Sequence, residues 1–208
     1  MLREKETKDL LSQIEKIQSK YEIKMTKVIM DAIRKSENFT SSEKLLDIWN
    51  KTEKELTDLF YKMLEEIYST ILTFIKKVYP NASSDEKLDI KDLIWNEDGK
   101  TIEERFNTLC SFGYQALLDK IDISLKESLT FMLVRILDTE RITVFNKTLK
   151  KKVAKQYPIA QVINTGCCEE VCDHWGNKFI PTDKLEWPPY HPSCRCVVIL
   201  FTADEIEN

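Results

Sequence analysis

Five of the six cysteines and both histidines fall between Cys167 and Cys196, in thirty residues. The 166 residues before them hold one cysteine, Cys110, and no histidine. Soft ligands gathered this tightly constrain the fold more than any other feature of the chain. A piece this short cannot bury a core of its own, and a thiolate-bound ion can hold it together instead. The candidates form two groups about twenty residues apart, Cys168 and Cys172 on one side, His191, Cys194 and Cys196 on the other. That layout suits a treble-clef or ribbon-like zinc site, in which each group sits on a turn and the ion clamps the turns. Zinc takes four ligands, and the favoured set is Cys168, Cys172, Cys194 and one of His191 or Cys196, with Cys167 and His174 as spares. Two other readings stay open, packed thiols without metal and disulfides in an oxidising setting.

The rest of the chain reads as helix. There are only 4 glycines in 208 residues, which argues against a turn-rich all-β fold. Residues 1–35 carry Leu10, Ile14, Ile17, Tyr21 and Val28 at helical spacing, one apolar stripe on a charged rod. A stripe of this kind packs in a bundle or supports self-association. Thr40 and Glu43 have capping-box spacing and open a second long helix that runs to Tyr79. Its apolar face, from Leu45 and Trp49 through Phe60 and Ile67 to Val78, is broad enough for two neighbours. Pro80 ends it. Ser83 with Glu86 marks a short helix to Leu93, Asp98-Gly99 a turn, and Thr101 with Glu104 a third capping box. Helices are then expected over 102–119, 122–135 and 138–156, with Cys110 as a buried small hydrophobe. Strands are expected at 159–164 and 197–201, and a frayed acidic tail at 203–208. The expected fold is mainly α, a helical bundle with a small C-terminal α+β Cys/His-rich module stabilised by zinc.

Several function classes are excluded. A net charge of -4 does not suit a globally basic nucleic-acid binder. Lys147, Lys150, Lys151, Lys152 and Lys155 nevertheless form a local basic run. Such a run is usually a solvated helix face, and contact with DNA phosphate is its alternative. The longest apolar stretch, near Ile67 to Ile75, is interrupted and too short to span a bilayer. The charged N-terminus lacks the apolar run of a signal peptide. A reducing cytosol is therefore expected, where clustered cysteines are metal ligands. No Glu lies two residues after either His, as a zinc deaminase needs, and no Gly-rich phosphate loop or Gly-x-Ser-x-Gly elbow occurs. An ion ligated fully by protein leaves no position for a reacting water, so no catalysis is expected.

Trp187 to Val198 reads Trp-Pro-Pro-Tyr-His-Pro-Ser-Cys-Arg-Cys-Val-Val. This run resembles the PP-x-HP-x-CRC signature and strand that end the phage Mu F-like head morphogenesis proteins, also called phage minor head or minor capsid proteins. Upstream, Asp138-Thr139-Glu140-Arg141 with Asn146, then Gln161 to Gly166, Cys168 to Cys172, and Gly176 to Phe179 follow the family's order of helix, strand, cysteine turn and Gly-x-x-Phe. Trp95, Asp98-Gly99-Lys100-Thr101 and Arg105 resemble the turn before the bundle in related minor capsid proteins. The chain departs in two places: three residues separate Cys168 from Cys172 instead of two, and Trp175 replaces an acidic residue. The resemblance implies a division into an N-terminal helical region (1–93), a head morphogenesis domain (94–201) and an acidic tail (202–208). It also implies a portal-associated virion component made in the host bacterial cytoplasm. Such a protein would act in head assembly, DNA packaging or ejection through contacts with portal or major capsid subunits.

Overall fold

The computed structural model describes residues 2–37, 41–82, 88–96, 98–121, 124–164 and 170–206. The chain is mainly helical, with a small antiparallel sheet near its C-terminus. Four long helices come first, α1 (Leu2–Ser36), α2 (Ser42–Val78), α3 (Ile102–Leu118) and α4 (Leu125–Lys152), with a 3-10 turn at Ile90–Leu93 between α2 and α3. Then follow β1 (Ile159–Ile163), a six-residue helix α5 (Glu170–Trp175), β2 (Phe179–Pro181), β3 (Val197–Phe201) and a 3-10 turn at Ala203–Glu205. No helix is long and apolar enough to cross a membrane among the described residues.

The division expected at residue 93 follows sequence motifs, whereas the compact units are discontinuous along the chain. One compact unit comprises Met1–Ile17, Leu64–Trp95 and Asp138–Asn208, the other Gln18–Met63 and Asn96–Leu137. α1, α2 and α4 contribute residues to both. Along α1 the buried positions are Thr7, Leu10, Ile14, Gln18, Tyr21, Met25, Ile29, Ala32 and Ser36. Spacings of three, four and four repeat there, the period of a nearly straight helix. Ile17 and Val28, assigned to the stripe from sequence, lie at its margin instead. One helix spans 125–152 where two were expected. Nothing at residues 136 and 137 breaks a helix, since both Ile136 and Leu137 are apolar and neither Gly nor Pro intervenes.

In the second unit the capping box at Thr101 is formed. The Thr101 hydroxyl accepts the Glu104 N–H at 3.2 Å, and the Glu104 carboxylate accepts the Thr101 N–H at 2.7 Å. Gly99, at φ +70, makes the turn before it. Asp98 fixes that turn by accepting from the Lys100 N–H and from the Arg105 guanidinium at 2.8 Å. The core joins Phe60 edge-on to Phe106, and the Trp49 ring fills the space that a side chain at Gly113 would need. The capping boxes expected at Thr40 and at Ser83 lie outside the described residues. Asp89 caps the 3-10 turn instead, accepting the Lys91 N–H.

The first unit carries the sheet, in the order β2-β1-β3 with both pairs antiparallel. Ala160, Val162, Val198 and Leu200 form its fully buried face. Side chains occupy the outer edge of β3. Asn146 of α4 donates to the Cys196 carbonyl and accepts the Val198 N–H, both at 3.0 Å. The Leu200 N–H donates to the Tyr79 hydroxyl, and Arg3 donates to the Leu200 carbonyl at 2.7 Å. An edge satisfied in this way presents no template for a further strand. The Arg3 guanidinium also lies within 6 Å of the Tyr79, Tyr157 and Phe201 ring centres and pairs with Glu205 at 2.6 Å. Glu205 belongs to the tail expected to fray. It is fixed as well by accepting the Thr202 N–H and hydroxyl.

Candidate metal centre

α4 builds the platform for the site. From residue 138 to 149 it is buried almost throughout, although the stretch includes Asp138, Thr139, Glu140, Arg141, Thr143, Asn146 and Thr148. Polar groups so placed need partners, and Thr139, Glu140 and Asn146 find theirs in the backbone of two passing segments. Glu140 accepts the Trp95 N–H at 2.9 Å, and Lys147 donates to the Ile94 carbonyl. Thr139 accepts the Ser193 N–H at 2.9 Å, and Asn146 holds Cys196 and Val198. Asp138 faces both Arg141 and Arg195 at 3.5 Å. The segment from Ser193 to Val198 is thus laid along α4 by its main chain. Ser193, at φ +64, makes the turn that brings His191 and Cys194 together, with the Cys194 N–H donating to the His191 carbonyl.

Cys172, on α5, meets Cys194 and Cys196, which lead into β3. The three are fully buried, and their sulfurs lie within 4.8 Å of one another. Cys172 Sγ is 3.8 Å from Cys194 Sγ and 3.3 Å from His191 Nε2. His191 Nδ1 lies 2.9 Å from the Pro192 carbonyl. That contact selects the tautomer with its proton on Nδ1 and turns the Nε2 lone pair toward the sulfurs. The thiols are unequal. Cys194 is brought down to about 5, first by a hydrogen bond from the Cys196 thiol and then, against burial, by the Tyr190 and Cys196 amides. Cys196 moves the opposite way, because it donates that hydrogen bond and is buried. The hydrogen bond from Cys196 thus favours the thiolate form of Cys194, the form in which a cysteine binds a metal. The Tyr190 hydroxyl is pushed up by burial and by the three neighbouring sulfurs, and it has no hydrogen-bond partner among the described residues. Three gathered sulfur donors and an oriented imidazole together fit a metal ion.

Of the residues singled out from sequence, Cys172, His191, Cys194 and Cys196 converge. Cys167 and Cys168 lie outside the described residues. His174 is exposed, packs edge-on against Trp175 and is not part of the sulfur group. Of the five lysines, Lys152 is 4% exposed, Lys147 is hydrogen-bonded to Ile94, and Lys150 rests over the Trp187 ring. A solvated face of five lysines does not describe them. Cys110 is buried, its thiol pushed up to about 12 by burial. Sequence reasoning missed the capping of β3 by Tyr79 and Arg3, which lie more than a hundred residues from it in the chain. A buried hydroxyl or guanidinium that satisfies a distant backbone leaves no local pattern.

The fold and site define a mainly helical protein with a small three-stranded module closed by a cysteine cluster able to hold a metal ion. No protein-family model, curated protein or solved structure matches the chain.

Proposed function

We propose that this protein is a phage or prophage minor head protein of the Mu F-like type, acting in head morphogenesis through protein–protein contacts rather than catalysis. The observation that carries the reading is the way three separated segments meet. Trp95, the Asp138 to Asn146 stretch and the Ser193 to Val198 run carry the resemblance, and they interlock by hydrogen bonds on α4. A shared reason to exist as a set, rather than three coincidental words, favours the family reading. Zinc is the occupant the cluster suits best, since thiolates with imidazole are its preferred donors. Its role is structural, locking the C-terminal module in shape.

Protein contact is favoured by the distribution of exposed apolar side chains. Ile23, Leu46, Phe112, Leu118, Ile121 and Phe131 all belong to the second unit, and among the described residues only Phe179 of the first is comparable. Portal and capsid subunits are the partners the family reading supplies. The DNA-contact reading is weaker by two lysines, because Lys147 bonds the Ile94 carbonyl and Lys152 is buried. The test is co-expression with the portal protein encoded in the same genome. A complex that survives high salt is expected. Failure to bind portal or capsid subunits, with the protein folded, overturns the proposal.

A further inference from the structure

We infer that Cys172, His191, Cys194 and Cys196 form a closed tetrahedral Cys3His zinc site, with His191 Nε2 as the fourth donor and His174 outside it. The inference rests on the zinc reading of the cluster and specifies its ligands. Zinc bonds sulfur at about 2.3 Å and imidazole nitrogen at about 2.0–2.1 Å in tetrahedral geometry. The edges of such a tetrahedron are about 3.8 Å between two sulfurs and about 3.5 Å between sulfur and nitrogen. The observed separations are 3.8 Å for Cys172 to Cys194 and 3.3 Å for Cys172 to His191. Both separations from Cys172 match edges of a zinc coordination shell, and Cys196 Sγ lies within 4.8 Å of the other two sulfurs. Two sulfurs joined as a disulfide would sit at about 2.0 Å, and thiols packed like methyl groups have no reason to gather an imidazole.

The shell is also braced for this purpose. Nδ1 of His191 is engaged with the Pro192 carbonyl, so the ring offers Nε2 alone. Asn146 fixes the Cys196 carbonyl and Thr139 fixes the Ser193 amide, so the segment that carries His191, Cys194 and Cys196 is positioned by α4. Three thiolates and an imidazole complete the coordination of zinc, leaving no position for a substrate or a reactive water.

The test uses the full chain, reduced and loaded with zinc or with cobalt as its spectroscopic substitute. One ion per chain is expected, and the cobalt form should show the intense visible bands of a tetrahedral thiolate site. His191→Ala should weaken zinc binding more than tenfold in competition with a chromophoric chelator. His191→Cys should restore binding, with added sulfur-to-cobalt charge-transfer intensity, and it guards against an alanine variant that merely misfolds. Cys168→Ser and His174→Ala should bind like the parent. The assignment is overturned if Cys168→Ser loses the ion, if His191→Ala keeps parental affinity, or if the parent takes up no metal. A protein that binds zinc through these four residues yet ignores portal subunits leaves the assignment standing and removes only the head role.

Discussion

The two halves of α4 are built on opposite plans. Over residues 125–137, Leu129, Leu133 and Leu137 form a narrow buried row while Phe131 is 63% exposed. Over residues 138–149 nearly everything is buried, charged and amide side chains included. The first half packs by apolar area. The second packs by satisfying other segments' main-chain groups. Burial of apolar surface is non-directional and tolerates exchange. A buried Asn or Glu that reads a backbone is directional, and removing it strands its partner. The polar half should therefore fail by stranding backbone groups where the apolar half fails by opening cavities, and only the polar half should sense the metal.

The largest effect tests the proposed zinc ion. Chelation, or Cys194→Ser, should release the last forty residues from their fixed structure while most helical circular dichroism remains. Zinc binding in small structural sites is worth on the order of 10 kcal/mol, far more than three short strands can replace. If a Cys194→Ser variant melts like the parent, the cluster is not structural.

Asn146→Leu comes next. It leaves the Cys196 carbonyl and the Val198 amide buried without partners. The expected cost is about 2–4 kcal/mol, read as a lower denaturation midpoint. A cost below about 1 kcal/mol would show that β3 finds other partners and that the directional plan for this half of α4 is wrong. Arg3→Met tests the same principle where solvent can partly compensate. The Leu200 carbonyl and the Glu205 carboxylate lose a donor, but the site is near the surface and the ion pair with Glu205 contributes little. About 1–2 kcal/mol is expected, mostly from the carbonyl bond and the aromatic cage.

This contrast also explains what could be read from the sequence. Helical periodicity located α1 and α2 to within a residue or two, because an apolar stripe is a repeated local signal. Thr101 and Glu104 were legible because capping is a four-residue device. Cys172, His191, Cys194 and Cys196 were legible as a group, since few chemistries gather such ligands. α4 was expected as two helices, 122–135 and 138–156, and its burial pattern does change near Asp138. The change is real, but it is a change in what the helix packs against and not a break in its backbone. α5 and β2 went unread because six and three residues are too few to carry a period. Arg3, Tyr79 and Glu205 looked like ordinary surface and helix-end residues, since their role depends on strands far away in sequence.

Ser193→Gly should act in the opposite direction. Its φ of +64 is a left-handed conformation that side chains resist and glycine accepts. The amide bound to Thr139 is retained. Relief of strain competes with the extra freedom of glycine in the unfolded chain, so the expected gain is small, about 0.4–1 kcal/mol. A loss of stability would mean that the Ser193 side chain makes a contribution its backbone geometry does not reveal.

The smallest effect belongs to an exposed side chain of the apolar half. Phe131→Gln changes a ring that is 63% exposed, braced mainly by the Arg135 guanidinium 5.8 Å from its centre. Stability should move by no more than about 0.5 kcal/mol. Leu133→Ala, two residues along and fully buried, should cost about 2–5 kcal/mol by the same measurement. The pair separates folding from docking, because Phe131 is among the residues placed at the partner surface. If that assignment holds, Phe131→Gln weakens co-purification with portal subunits while leaving the melting curve in place. A variant that binds undiminished would return Phe131 to the ordinary population of exposed apolar side chains and shift the docking surface elsewhere on the second unit.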